Sequence, residues 1–226
     1  MVDQDKAQGH VHGHGDHENC PKCWASLATP LFCETCDQLL VAKGKPSPFA
    51  SLGLPKTFSL DRMALRKRLL SYSRILHPDF HTTSGAEARA LAERNTAELN
   101  AAFEILSDDF RRADWIVGSL GGPGDSQERQ MPPAFLMEVL EWNEIIEEAQ
   151  QAAPGSSEFD ALAPLEAQLR QERGELMKAI SKFLTPLPAM HAPELVEVRR
   201  RLNAVRYIDR TLEVIAELQM SRDTAQ

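Results

Sequence analysis

The fold of this chain is best predicted from residues 62–79, which read RMALRKRLLSYSRILHPD. The apolar residues that recur here at spacings of four, three and four are Leu65, Leu69, Tyr72 and Leu76. This spacing is typical of an amphipathic helix, and either Ser59 or Asp61 can cap its first turn. Because Pro78 lacks a backbone N–H and disfavours helical geometry at the residue before it, the helix is predicted to end near Leu76.

A second helix is predicted over roughly residues 86–106. The residues on its apolar side are Leu91, Asn95, Leu99, Phe103 and Leu106. Two helices with facing apolar stripes and a short connection form an antiparallel hairpin. His77-Pro78-Asp79 is then predicted to lie in the loop at the tip of that hairpin.

The first helix has a basic outer face, formed by Arg62, Arg66, Lys67 and Arg74. In a chain whose formal net charge is -8, such a face indicates an acidic partner surface. An ordinary solvated helix face is the alternative. His77 and Asp79 could also form an acid–base pair, but no nucleophile or third orienting group is visible nearby. We therefore do not expect the chain to be an enzyme.

All four cysteines lie in two C-x-x-C units separated by nine residues, and they are Cys20, Cys23, Cys33 and Cys36. Two such units can supply the four thiolates of a tetrahedral metal site, so a structural Zn²⁺ is predicted. A redox dithiol, iron or a disulfide are the alternatives, although no βα pattern follows either pair. The preceding histidines, which could bind metal loosely or belong to a disordered tail, are His10, His12, His14 and His17.

Beyond the glycine-rich break at residues 121–124, three more helical segments are predicted. The buried face of the first is predicted to consist of Phe135, Val139, Trp142, Ile146 and Ala149. A second apolar patch, Leu136, Met137 and Leu140, projects from its far side beside an acidic row, Glu141, Glu144 and Glu148. Either another helix of the bundle or a partner protein covers that patch.

In the last segment the predicted core stripe is Val198, Leu202, Val205, Leu212 and Ile215, and Tyr207 lies off it.

Composition and charge exclude several classes of protein. Ala, Leu, Glu and Arg dominate, which favours helix. An acidic balance argues against a nucleic-acid binder, and only Lys22, Trp24 and Phe32 supply basic or aromatic character near the cysteines. No stretch approaches the ~20 consecutive apolar residues of a membrane-spanning helix. Since the first residues resemble neither a secretory signal nor a mitochondrial presequence, a cytoplasmic location is expected.

The hairpin with a basic first helix and His77-Pro78-Asp79 at its tip resembles a J domain. Residues 49–226 as a whole are similar to the HscB family of J-domain co-chaperones. The stretches that carry this resemblance are FASLGLP at 49–55, LNAAFEIL at 99–106, RRADW at 111–115 and PAFLME at 133–138. Asp108 and Asp109 stand where that family usually has a proline. The tetracysteine segment is similar to that of eukaryotic-type members.

The resemblance implies a co-chaperone of iron–sulfur cluster assembly. Such a protein binds an IscU-type scaffold, delivers it to a DnaK-class, HscA-like chaperone and stimulates the ATPase of that chaperone. The implied chaperone-binding residues are Arg62, Arg66, Lys67, Arg74, His77, Pro78 and Asp79. The implied scaffold-binding residues are Leu136, Met137, Leu140, Glu141, Glu144, Glu148 and Tyr207. A general J-domain co-chaperone with a broad client range is the alternative.

We therefore predict an all-α protein in which a J-domain helical hairpin packs on a C-terminal three-helix bundle, preceded by a small zinc-knuckle module. The predicted division is a disordered His-rich tail over 1–19, the tetracysteine zinc module over 20–45, the J domain over 46–120 and the scaffold-binding domain over 131–226. The resemblance adds an L-shaped arrangement of the two helical domains.

Overall fold

The computed structural model describes residues 19–153 and 156–223, and the four tail histidines fall outside them. In the described part of the chain the helices are α1 (Pro48–Ser51), α2 (Arg62–Leu76), α3 (Ala86–Ser107), α4 (Asp109–Ser119), α5 (Pro133–Gln151), α6 (Ser157–Asp160), α7 (Leu162–Phe183) and α8 (Glu194–Asp223). Extended pairing within these ranges is limited to two isolated bridges, which confirms the predicted all-α class. None of the helices described is both long enough and apolar enough to cross a membrane.

Helices α2 and α3 form the predicted hairpin. Asp61, rather than Ser59, caps α2, because its carboxylate accepts hydrogen bonds from the backbone N–H groups of Met63 and Ala64 at 2.8 and 3.3 Å. The helix ends at Leu76 as predicted, and the apolar stripe before it faces α3. The connection at the tip is a 3₁₀ segment, Pro78–Ser84, instead of an irregular loop.

A fourth helix, α4, follows the hairpin directly and was not predicted as a separate element. Asp108 caps it by accepting a hydrogen bond from the backbone N–H of Arg111 at 2.7 Å, so this aspartate starts the helix. Arg112, in the first turn of α4, is buried, and its Nε donates to the carbonyl oxygen of Phe58 at 2.9 Å. Its guanidinium also donates to the carbonyl oxygen of Leu106, which joins α4 to the end of α3.

The C-terminal bundle consists of α5, α7 and α8, with the short α6 before α7. Pro133 occupies the first turn of α5, where its missing N–H has no intrahelical partner to lose. The predicted stripe of α5 faces the core, with Val139 partly buried and the other four residues buried. The predicted stripe of α8 also faces the core. Leu212 is partly buried and packs against the core, the other four residues are buried, and Ile208 and Thr211 are buried beside them.

Ion pairs join the bundle to α4. The buried Arg199 of α8 donates from Nε to the carbonyl oxygen of Pro123 at 2.8 Å, and its Nη1 lies 2.5 Å from Oδ1 of Asp114. Two turns further along α8 on the same side, Arg206 pairs with Asp125 at 2.7 Å. Because Arg199 is buried, removing Asp114 would leave its charge without compensation. The contacts therefore hold the bundle in a defined position against α4.

Candidate functional sites

The four cysteine thiols converge on one point. All four Sγ atoms lie within 4.8 Å of one another. Those of Cys20 and Cys36 are 3.7 Å apart, and those of Cys23 and Cys33 are 3.6 Å apart. Sulfurs bound at about 2.3 Å in a tetrahedron stand about 3.8 Å apart, whereas those of a disulfide stand about 2.05 Å apart. The four cysteines can therefore hold a tetrahedral metal ion, as predicted.

The two C-x-x-C units are structural copies of each other. In the first, the backbone N–H of Trp24 donates to the carbonyl oxygen of Cys20 at 2.9 Å. In the second, Asp37 donates to Cys33 in the same way and at the same distance. Trp24 and Asp37 both adopt left-handed backbone geometry, with φ of 62° and 53°. Each unit is thus a tight turn that points its two thiols the same way, and two facing turns complete the site.

The cysteine thiols differ in pKa. Burial acts to raise the pKa of Cys33, but the backbone N–H groups of Thr35 and Cys36 lower it to about 6. The backbone N–H of Gln38 acts to lower the pKa of Cys36, but burial and the neighbouring thiols raise it to about 12. Four thiolates this close repel one another, so a bound cation is what would allow all four to ionise together.

The tetracysteine segment is packed against the hairpin. Asn95 of α3 is buried, and its Nδ2 donates to the carbonyl oxygens of Leu31 and Leu40 at 2.7 and 2.9 Å. The ring of Phe32 meets that of Tyr72 of α2 edge-on, with centroids 4.8 Å apart. Sequence reasoning placed Asn95 on the apolar side of α3 but missed this role. A polar residue within an apolar stripe was the available signal, because a buried amide requires partners.

Replacing Asn95 with alanine is expected to lower the free energy of unfolding by about 2–3 kcal/mol, since the two hydrogen bonds from its buried side chain to Leu31 and Leu40 are lost. Chemical denaturation monitored by circular dichroism measures this. Asn100→Ala is the matched control, because Asn100 is exposed on the same helix and its loss should change stability by less than about 0.5 kcal/mol. Equal stability of the two variants would show that the tetracysteine segment does not depend on Asn95.

His77, Pro78 and Asp79 form the exposed tip of the hairpin. The Nδ1 atom of His77 accepts a hydrogen bond from the backbone N–H of Asp79 at 3.3 Å and lies 3.7 Å from its Oδ2. The side chains of His77 and Asp79 are 54% and 82% exposed. The tripeptide therefore forms a locally ordered, exposed surface and does not line an enclosed pocket.

The predicted basic face of α2 is exposed over its full length, at Arg62, Arg66, Lys67 and Arg74. Arg62 donates from Nη2 to Oδ2 of Asp109 at 3.1 Å. Burial acts to raise the pKa of Asp109, but Arg112 and Arg62 bring it below its ordinary value. Among the described residues the other three cations make no ion pair, so their charge is available to a partner.

The apolar patch on α5 is uncovered. Leu136, Met137 and Leu140 are 47%, 70% and 62% exposed. The adjacent acidic row, Glu141, Glu144 and Glu148, is exposed as well. The alternative in which another helix of the bundle covers the patch is therefore excluded. A contiguous apolar patch beside like charges is typical of a protein-binding surface.

Tyr207 lies beside this patch. Its hydroxyl donates to Oδ1 of Asn143 at 2.9 Å, and its ring meets that of Phe135 edge-on with centroids 6.0 Å apart. Asn143 is three residues after Leu140 and so shares its edge of α5. Through these two contacts the structure places Tyr207 of α8 next to the α5 patch. The hydrogen bond that positions it was not predicted.

Comparison with known sequences identifies relatives. The family model described as HSCB C-terminal oligomerisation domain matches residues 131–216. A protein named co-chaperone protein HscB homolog from Mannheimia succiniciproducens is 34% identical over 141 residues, which cover 62% of this chain and 79% of that protein. The homolog of the same name from Ralstonia nicotianae is 30% identical over 172 residues, which cover 75% of this chain and 94% of that protein.

Comparison with solved structures gives the same fold. Chaperone HscB from Vibrio cholerae matches with a TM-score of 0.61 and 22% identity over 80% of this chain and all of that one. Human co-chaperone protein HscB matches with a TM-score of 0.68 and 19% identity over 91% of this chain and 98% of that one. A match over 91% of the chain is longer than residues 49–226, so it includes part of the tetracysteine segment. Together with the sequence relatives, these observations show that the chain belongs to the HscB family of co-chaperones.

Proposed function

We propose that this co-chaperone binds an IscU-type iron–sulfur scaffold protein, delivers it to a DnaK-class, HscA-like chaperone and stimulates the ATPase of that chaperone. The observation that carries the proposal is the uncovered patch of α5, Leu136, Met137 and Leu140, on a helix whose opposite face is buried in the bundle. An apolar centre with a charged rim combines affinity with a choice of partner.

The scaffold binds, in this proposal, to a face built from two helices. Leu136, Met137 and Leu140 supply apolar contact, and Tyr207 extends it onto α8. Glu141, Glu144 and Glu148 favour a scaffold surface that is basic at its edge, because charges at the rim of an interface select partners and steer their approach. Residues 131–226 are the proposed scaffold-binding domain.

The chaperone binds, in this proposal, to the hairpin. Arg66, Lys67 and Arg74, together with Arg62, steer an acidic surface of the ATPase domain towards α2. His77, Pro78 and Asp79 at the tip then make the contacts that accelerate ATP hydrolysis. Since scaffold and chaperone occupy different helices of one chain, the scaffold is held at an effective concentration of about millimolar beside the chaperone.

The tetracysteine site holds, in this proposal, a structural zinc ion. Cys20, Cys23, Cys33 and Cys36 are four sulfur donors at tetrahedral separations. Four protein ligands leave no open coordination position, which distinguishes a structural ion from a catalytic one. The ion would then stabilise a segment too short to fold around a core of its own.

The proposal is tested by measuring ATP hydrolysis by the chaperone with this co-chaperone, with scaffold protein and with both. We expect the co-chaperone alone to stimulate hydrolysis and the scaffold to increase that stimulation. A pull-down from cell extract distinguishes a co-chaperone dedicated to the scaffold from one with a broad range of clients. Enrichment of varied unfolded proteins without the scaffold would favour a general J-domain co-chaperone over the dedicated one.

A further inference from the structure

Large apolar side chains lie exposed within the basic face of α2. Met63 is 76% exposed and Leu70 is 55% exposed. Exposed apolar residues are common when scattered singly over a surface. These two are seven residues apart on one helix and therefore stand on the same side of it, two turns apart.

Their position within the basic face is central. At about 100° per residue, Met63 and Leu70 point within about 20° of each other around the helix axis. Arg62 and Arg66 flank them on one side, and Lys67 and Arg74 on the other. At the centre of an ordinary solvated helix face we would expect charged residues, and not apolar ones.

The same row continues to the tip of the hairpin. His77 is seven residues after Leu70, so it lies on that side of the helix axis. The ring of Phe80, which is 71% exposed, meets the ring of His77 edge-on with centroids 5.9 Å apart. Exposed apolar side chains therefore recur along this side of the hairpin, from the first turn of α2 to the tripeptide.

We propose that Met63, Leu70 and Phe80, which we call the apolar spine, are contact residues for the chaperone. The spine binds an apolar spot set within an acidic surface of the ATPase domain. This inference rests on the proposed function. The occupant follows from charge complementarity, because the cations on both sides of the spine require an acidic rim around the apolar contact.

The two components of the face act differently. Cations at the rim accelerate encounter, and their effect is screened as salt rises. Apolar contact at the centre excludes water and slows dissociation, and it persists at high salt. A face with an apolar centre discriminates between chaperones in a way that a purely basic helix does not, since an acidic surface without an apolar spot leaves the spine exposed to water.

The test compares Met63→Gln combined with Leu70→Gln against wild type, by measuring the dissociation constant for the chaperone at low and high salt. We expect binding about tenfold weaker at both salt concentrations, with an unchanged salt dependence. Arg66→Gln should instead weaken binding mainly at low salt and reduce the salt dependence. Met190→Gln is the matched control, because Met190 is 64% exposed in the connection between α7 and α8 and is not part of the apolar spine, and it should bind like wild type.

Each outcome is decisive. If wild type binds the chaperone and the double variant binds within about twofold of it, the apolar spine is not a contact and this inference fails alone. If wild type neither binds nor stimulates the chaperone, the proposed function itself fails. If the double variant changes the sedimentation of the co-chaperone alone while chaperone binding stays intact, the spine contacts a second copy of this chain, which also overturns the inference.

Discussion

Replacing Leu136 and Leu140 together with lysine is expected to abolish scaffold binding while stimulation of the chaperone ATPase in the absence of scaffold remains. Burying each leucine against a partner is worth about 1.5–3 kcal/mol. The new cations would also oppose the basic edge that the acidic row selects. The combined loss corresponds to an affinity more than about 100-fold weaker.

Calorimetric titration of the scaffold into the variant measures this loss. Both leucines are exposed, at 47% and 62%, so the melting temperature should stay close to that of wild type. Val41→Lys is the matched control, because Val41 is 70% exposed in the tetracysteine segment and lies outside the proposed face. Full scaffold affinity in the double variant would exclude the α5 patch as the docking face.

Replacing Cys33 with serine is expected to release the metal ion and unfold the tetracysteine segment. Structural zinc contributes about 10–16 kcal/mol of apparent binding free energy, which in such small units is folding free energy. The segment has few buried apolar residues of its own, chiefly Leu31, Phe32 and Leu39. When this segment unfolds, Tyr72 and Asn95 should lose their contacts with it. The hairpin, which carries the proposed chaperone-binding face, should therefore become less stable.

Metal analysis and amide hydrogen exchange together measure the effect of Cys33→Ser. We expect about one equivalent of zinc in wild type, none in the variant, and rapid exchange over residues 19–45 in the variant alone. A chelator added to wild type should reproduce that exchange pattern, whereas α5, α7 and α8 should keep their protection. A variant that retains both the ion and the protection would contradict the four-thiol site.

The hairpin and the bundle could be predicted because their signals are local in sequence. The stripe Leu65, Leu69, Tyr72 and Leu76 has helical spacing, and Pro78 ends the helix by the loss of one backbone donor. The convergence of the cysteines was predictable for the same reason, since each C-x-x-C unit closes on itself. The features that could not be predicted depend on contacts between residues far apart in the sequence.

Asn95 illustrates a distant determinant. The carbonyl groups that it binds lie 64 and 55 residues away along the chain, and nothing in the sequence pairs them. Ile208 and Thr211 illustrate another, because periodicity alone did not show that both are buried beside the partly buried Leu212. For the α5 patch the sequence left two possibilities open. Only the placement of α7 and α8 on the opposite side of α5 showed that the patch faces outwards.

The most direct test of the proposed function is chaperone ATPase stimulation by His77→Gln, with and without scaffold. His77 is exposed at the tip and its Nδ1 accepts a hydrogen bond from Asp79, so the substitution should change the docking tip without unfolding the helices. We predict that the variant still binds the scaffold with wild-type affinity but leaves the ATPase at its basal rate under both conditions. Undiminished stimulation by His77→Gln would contradict the account.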